Sequence, residues 1–332
     1  MKVSVIGAGA IGSVVAAYLA KAGADITLIG KPSQVEMIQR DGLTVRGIRG
    51  EEVFRLKALT RLDQYYDLNI FTVKTQDLED AYQANHEFLD KGWILTSQNG
   101  VQADNILSVH FDREKMLSSI VMFGATYAQS GEVLFNFEGD WIIGKPFFPV
   151  DQSTHEIAGL LGKAFKTVVS NNIIGMKWLK VFVNFNNCIC AVLGTSMQET
   201  FSDMDCCRLS VALLREGVAV IQKAGIELVS LPQFPVDRVF GLAAMPEGQA
   251  AGIINKTLTG LSKEPVYGSI LQSIMRGRSS EIDFINGEIV SIGRQIHVAV
   301  PLNEKIVDLV HKVEQSGKFL AVDQLKQELN FV

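Results

Sequence analysis

Lys2-Val3-Ser4-Val5-Ile6-Gly7-Ala8-Gly9-Ala10-Ile11-Gly12 decides the fold of the N-terminal half. Residues 2–6 form a short apolar run that reads as a buried strand, and 11–22 form an Ala/Val/Leu helix that stops at Gly23. Between them lies a GxGxxG: glycines at 7, 9 and 12, with Ala8, Ala10 and Ile11 filling the other positions. In this strand-to-helix setting each glycine has a task. Gly7 permits the tight turn, Gly9 lets the backbone approach a pyrophosphate, and Gly12 allows close helix–strand packing. The helix N-terminus adds N–H donors and the positive end of its dipole.

The pattern continues outward as βαβ units. Strands are expected at 25–29, 68–73 and 93–96, with helices at 32–40 and 77–89, which predicts a parallel sheet. From Ser118 the texture becomes β-rich with glycine turns, over 121–127, 131–137 and 140–143, and is expected to add antiparallel strands at one edge of the sheet. A helix at 153–164 and a strand at 167–169 complete the domain. The second strand ends Ile29-Gly30-Lys31, with no carboxylate to bond a ribose 2′-hydroxyl. A lysine there suits a 2′-phosphate, so NADP(H) is expected over NAD(H); the alternative is a solvated loop charge.

The chain of 332 residues is long enough for two cores, with 47% hydrophobic and 20% charged residues and a net charge of −5. That charge argues against nucleic acid as a partner. No run of apolar residues is long enough to cross a bilayer, and the chain start reads as a strand rather than a secretory segment, so the expected compartment is the cytoplasm. The cysteines, Cys188, Cys190, Cys206 and Cys207, lack the spacing of a disulfide framework or a metal site and read as buried thiols in a reducing compartment. The five histidines show no pairing motif, and no metal is expected.

After Asn171-Asn172 the chain turns helical, giving expected domains of 1–170 and 171–332. One long helix is expected over 177–193, others over 208–224 and 282–296. The last carries Ile282, Ile285, Ile289, Ile292 and Ile296 as a buried stripe. Residues 231–263, rich in Pro and Gly, are either a mobile lid or an irregular connection. The apolar helices suit a homodimer.

Candidate site residues come from three places. Lys74 and Asn99-Gly100 follow strands whose carboxyl ends should border the cofactor cleft; the alternatives are a surface lysine and an ordinary turn. Lys177, Lys180, Asn184 and Asn187 make a polar stripe on an apolar helix, where a lysine must be solvated, paired or working. Ser269 precedes a segment, Ser280-Glu281-Ile282-Asp283, that also reads as a helix N-cap with first-turn acids.

Taken in order, GAGAIG at 7–12, VK at 73–74, QNG at 98–100, KxxxN at 180–184, and SxLQ with EIDFING at 269–287 resemble the ketopantoate reductase (2-dehydropantoate 2-reductase) family over nearly the whole chain. The resemblance implies a Rossmann-type domain followed by an all-α domain like the C-terminal domain of 6-phosphogluconate dehydrogenase. It implies hydride transfer from NADPH to the ketone of a small 2-oxo acid, in the route to pantothenate and coenzyme A. Lys180 would be the general acid, and Glu281 would pair with it and border the cofactor. Asn99, Asn184 and Ser269 would hold nicotinamide or substrate oxygens, and Lys74 the cofactor ribose or the substrate anion.

The chain departs from the family in two places. The second Asn common in the family, usually followed by Pro, is here Cys188-Ile189, and Asn187 beside it is a candidate replacement. Ser273 stands where the SxLQ motif is often followed by Asp. Both changes keep open a different 2-oxo acid or an opine-type imine as substrate. A non-catalytic NADPH-sensing module is the third reading, disfavoured because Lys180 and Glu281 are both present.

Overall fold

A computed structural model describes residues 1–331. The chain forms two compact units divided between Ile174 and Gly175. Each is described by itself.

The first unit is organised by β1 (Lys2–Ile6), whose Val3, Val5 and Ile6 are buried. Among the described residues its main sheet has eight strands. The others are β2 (Asp25–Ile29), β5 (Lys57–Leu59), β6 (Leu68–Phe71), β7 (Trp93–Thr96), β8 (Met116–Val121), β11 (Trp141–Gly144) and β12 (Thr167–Val169), in the order β12-β11-β8-β7-β6-β1-β2-β5. Every neighbouring pair is parallel except β11 with β8. Inside this apolar sheet the Ser4 hydroxyl of β1 donates to Asn69 Oδ1 of β6 at 2.6 Å, so the buried hydroxyl is satisfied. The unit's helices are α1 (Ala10–Lys21), α2 (Pro32–Asp41), α3 (Leu78–Asn85), α4 (Ala103–Leu107) and α5 (Gln152–Leu161). The helix expected over 77–89 is shorter, with 3-10 turns at Thr75–Asp77 and His86–Phe88 on either side of α3.

The β-rich stretch after Ser118 departs from expectation. Only β11 extends the main sheet in antiparallel fashion. β9 (Gly124–Gln129) and β10 (Glu132–Phe137) instead join β3 (Leu43–Gly47) and β4 (Glu52–Phe54) in a second sheet, ordered β4-β3-β10-β9. The alternation explains this. Val45, Phe54, Val133 and Phe135 point inward and are buried over α1, where Tyr18 meets Phe54 and Phe135 at ring-centroid distances of 5.7 and 5.6 Å. Arg49 closes the arrangement. Its guanidinium lies 4.5 Å from the Tyr18 centroid, donates to Ala164 O at 3.0 Å and forks onto Glu138 at 2.6 and 2.9 Å.

The second unit is helical: α6 (Ile173–Asn184, which starts just before the division), α7 (Asn187–Leu193), α8 (Met197–Thr200), α9 (Met204–Ala224), α10 (Val236–Ala244), α11 (Glu247–Thr259), α12 (Ser269–Ile274), α13 (Asn286–Gln295), α14 (Pro301–Ser316) and α15 (Val322–Leu329). The long helix α9 is capped by Asp203, whose Oδ1 accepts from the Asp205 and Cys206 amides at 2.7 and 3.2 Å, and it ends at Gly225 with φ 68°. Helices α10, α11, α13 and α14 pack around it. Residues 231–263 are therefore no irregular connection. They carry the helices α10 and α11, and Arg215 of α9 donates to Ala243 O and Met245 O at 3.0 and 2.8 Å across the turn between them.

Two expected helices are broken. The 177–193 helix is α6 and α7 with a turn at Phe185-Asn186, and the 282–296 helix is a 3-10 turn at Ile282–Phe284, a bend at Ile285 (φ −118°, ψ −90°) and then α13. The apolar periodicity continues through both breaks: Val181, Phe182, Phe185 and Cys188 are buried around the first, and Ile282, Ile285 and Ile289 around the second. The four cysteines are buried free thiols, and burial pushes the Cys190 thiol up to about 12. Among the described residues no helix is long and apolar enough to cross a membrane.

Candidate active site

In the first unit, the loop after β1 is held tightly on one side and open on the other. Gly7 adopts φ 121°, and a side-chain carbon on it would lie 2.7 Å from the Val73 amide nitrogen. Its N–H donates to Ile29 O at 2.9 Å. A Cβ on Gly12 would run into Gly7 O and the Thr72 hydroxyl. A Cβ on Gly9 would meet nothing within 4 Å. That contrast fits a backbone surface left clear for a pyrophosphate, with α1 starting directly behind it at Ala10.

Side chains fix the carbonyls of this loop. Thr72 donates its hydroxyl to Gly7 O at 2.8 Å. Gln34, buried at the start of α2, donates to Ala8 O at 2.7 Å and to the Tyr127 hydroxyl at 3.1 Å, and its Oε1 accepts the Lys31 N–H at 2.9 Å. Gln34 thus ties the first βα loop to the second. Lys31 is the exposed N-cap of α2, with no acid in the first turn of that helix.

The loops after β6 and β7 are joined in the same way. Gln98 donates to Phe71 O and Val73 O, each at 2.8 Å, and Ser97 to Phe71 O at 2.6 Å. Thr75 donates to Asn99 O at 3.4 Å. Lys74 and Asn99 are half-buried there, and Gly100 takes φ 79°. The order β7-β6-β1-β2 places Asn99, Lys74, the 7–12 loop and Lys31 at the carboxyl ends of four adjacent parallel strands. Sequence reasoning singled out these residues, took in Gln98 only as part of its motif, and missed Gln34 and Thr72. Gln98 sits inside the QNG motif; Gln34 is visible only as a polar residue in the first turn after Pro32.

In the second unit Lys180 lies on α6 and Asn184 one turn later, both half-buried. Burial in the apolar body of the helix pulls the Lys180 ammonium down from the ordinary lysine range to about 8. Burial is the cause of that shift, and Glu281, the residue expected to pair with Lys180, lies in the same unit. Lys177 is buried.

The break after Asn184 redirects the polar stripe. Phe182 and Phe185 pack on Gly217 of α9, where a side-chain carbon would sit 2.8 Å from one ring and 3.1 Å from the other. Asn186 Oδ1 accepts the Ser210 hydroxyl of the same helix. Cys188, at the position of the missing family Asn, is wholly buried, with its thiol 3.1 Å from Phe185 O. Asn187 instead lies against the start of α12: a side-chain carbon on Gly268 would be 2.5 Å from Asn187 Oδ1. The structure therefore brings Asn187 beside the residue preceding Ser269, itself exposed as the first residue of α12. Glu281 is half-buried.

Two histidines find carboxylate partners in the fold. His110 Nε2 lies 2.8 Å from Glu79, and His311 lies between Asp283 and Glu314. These partners are 28 or more residues away, apart from the neighbouring-turn pair His311–Glu314, so no local motif announces them.

Residues 3–146 match the family model described as "Ketopantoate reductase PanE/ApbA", and 172–314 match that for its C-terminal domain. A 2-dehydropantoate 2-reductase of Pyrococcus horikoshii is 30% identical over 320 residues, 96% of this chain and 99% of the relative. One from Archaeoglobus fulgidus is 28% identical, over 94% of this chain and 98% of its own. Among solved structures, a PanE/ApbA family ketopantoate reductase of Ralstonia eutropha JMP134 superposes with a TM-score of 0.80 at 26% identity, covering 95% of this chain and 99% of its own. D-mandelate dehydrogenase, solved with NADH and anilino(oxo)acetate, reaches 0.81 at 24% identity over 95% and 99% of the two chains, a likeness of fold.

Proposed function

The chain belongs to the ketopantoate reductase family, an oxidoreductase family, and we propose that it reduces 2-dehydropantoate to pantoate with NADPH in the supply of pantothenate and coenzyme A. The nicotinamide, when bound, supplies the hydride. What this chain contributes is position, charge and a proton.

The open face at Gly9, between the crowded Gly7 and Gly12, fits a dinucleotide pyrophosphate. Gly7, Ala8, Gly9, Ala10, Ile11 and Gly12 would hold it through backbone and helix N-terminus, Lys31 would take the 2′-phosphate, and Lys74 and Asn99 would flank the ribose and nicotinamide. Lys180 is the general acid. An ammonium whose pKa burial lowers to about 8 stays mostly protonated at neutral pH yet gives up its proton more readily than a solvated lysine, which suits protonation of a developing alkoxide. That observation carries the proposal. Asn184, Asn187 and Ser269 would orient substrate oxygens. Glu281 would border the cofactor and pair with Lys180 once substrate is bound.

A second reading, a different small 2-oxo acid, has its own support. Cys188 is in the core, where the family amide would be, and Asn187 is presented from a different helix, α7. Both readings are tested by following NADPH oxidation with purified protein. Turnover of 2-dehydropantoate that falls about a thousandfold in Lys180→Ala supports the proposal. NADPH binding without 2-dehydropantoate turnover, but with turnover of another 2-oxo acid, selects the second reading.

A further inference from the structure

The segment 280–286, which carries Glu281, is pinned to α14 at three points. Glu314 Oε1 accepts the Ser280 N–H at 2.7 Å, His311 Nε2 lies 2.9 Å from Asp283 Oδ1, and Asn303 Oδ1 accepts the Asn286 amide at 3.1 Å. Positions 303, 311 and 314 fall within about 80° of one another around a helix, so one side of α14 serves as a rail along which the segment runs antiparallel. The rail is itself fixed. Asn303 donates to Leu213 O at 3.1 Å and to Glu216 Oε2 at 2.8 Å, both on α9. At the other end the Ser280 hydroxyl accepts the Ile282 N–H at 3.2 Å, so amides on either side of Glu281 are bonded.

Glu314 is the anchor nearest Glu281. Its side chain is only 12% exposed, and its second oxygen lies 3.2 Å from His311 Nδ1. A carboxylate held at that depth needs both interactions to offset lost hydration. For His311 burial opposes the charged ring, but the bonds and charges of Asp283 and Glu314 outweigh it and raise its pKa. An imidazolium there donates to both carboxylates.

We propose that Glu314 is a positioning residue for Glu281: by holding the N–H of the preceding residue, it fixes the backbone from which the Glu281 carboxylate acts. This rests on the role given to Glu281 above. Truncation to Ala removes the buried acceptor of the Ser280 N–H, whereas Gln keeps an oxygen for it.

The test is a double-mutant cycle with NADPH and 2-dehydropantoate, alongside amide exchange and melting temperature. Glu314→Ala is expected to lower kcat/KM about tenfold, and Glu314→Gln to stay within about threefold of the parent. In a Glu281→Ala background, Glu314→Ala should change kcat/KM no further. Exchange of the Ser280 amide should accelerate about tenfold in Glu314→Ala and not in Glu314→Gln, a readout independent of which substrate is turned over. An equal loss in both backgrounds, or unchanged Ser280 exchange, overturns the inference. Full activity of Glu281→Ala instead removes the role proposed for Glu281. An impaired Glu281→Ala beside a fully active Glu314→Ala removes the positioning role alone.

Discussion

The loop at 7–12 and the helix break at 184–187 are both candidate site elements, and they are built in opposite ways. The loop is backbone: what it would offer a cofactor is N–H groups, and Gly7 and Gly12 have no room for side chains. The break is side chain: Lys180, Asn184 and Asn187 face where they do because two helices, not one, carry them. A backbone site is specified by residue type at fixed spacing. A side-chain site depends on where a helix stops, and here partners on α9, Ser210 and Gly217, accompany the stop. The two should therefore fail differently when perturbed.

The sharpest way to break this comparison is Gly7→Val. A β-branched residue at φ 121° is strained by about 1–3 kcal/mol before its contact with the Val73 amide is counted. NADPH affinity, measured by fluorescence titration, should fall about a hundredfold or more. A Gly7→Val protein that binds NADPH as the parent does would mean that the loop is ordinary packing.

The helical side should show its own signature in pH. With Lys180 near pKa 8, kcat/KM should be level below that pH and fall about tenfold per unit above it, because the acid form is lost. The sign follows from burial: it disfavours the ammonium, so the limb appears well below the ordinary lysine range. A limb near pH 10 in the free enzyme would show that burial does not govern Lys180, whereas NADPH affinity of the 7–12 loop should be nearly level across the same range.

The same contrast accounts for what could be read in the sequence. The GxGxxG, the strand ends at Lys74 and Asn99, and β1, β2, β7 and the half-buried edge strand β12 follow from local pattern, since β1, β2 and β7 are the short, mostly buried apolar runs of a parallel sheet. The second sheet was not legible, because β3 and β10 lie far apart in the chain and pair in parallel only where Tyr18 and Arg49 gather their apolar faces. The breaks at Phe185-Asn186 and Ile285 were hidden for a related reason. Their apolar residues keep helical spacing while polar neighbours, Asn186 and Asn286, turn to partners on other helices. The family resemblance named Lys180 and Glu281 but not the residues that hold them.

A smaller effect is expected at Gln34, which distinguishes a preformed loop from one shaped by ligand. Gln34→Leu preserves approximate volume but leaves Ala8 O and the Lys31 N–H without their partner. Losing such bonds at a partly buried site costs about 1–2 kcal/mol, so NADPH affinity should weaken about tenfold with little change in kcat. A fall in kcat at saturating NADPH would instead make Gln34 part of the reaction geometry. Unchanged affinity would show that the glycines alone hold the loop.

The smallest effect separates two roles for Asn187, substrate binding and support of α12. Gly268→Ala puts a methyl 2.5 Å from Asn187 Oδ1, well inside van der Waals contact, so the amide must move or rotate away. α7 and α12 remain packed through Ile270 and Leu271, both buried, so the fold should tolerate the change. If Asn187 holds a substrate oxygen, KM for 2-dehydropantoate should rise about three- to tenfold while NADPH affinity and kcat stay near the parent values, the pattern of lost ground-state binding. If Asn187 only supports the start of α12, Gly268→Ala should lower the melting temperature and leave KM unchanged. Asn187→Ala should then relieve the crowding and restore stability in the double variant, an outcome the substrate-binding role does not allow without a further rise in KM.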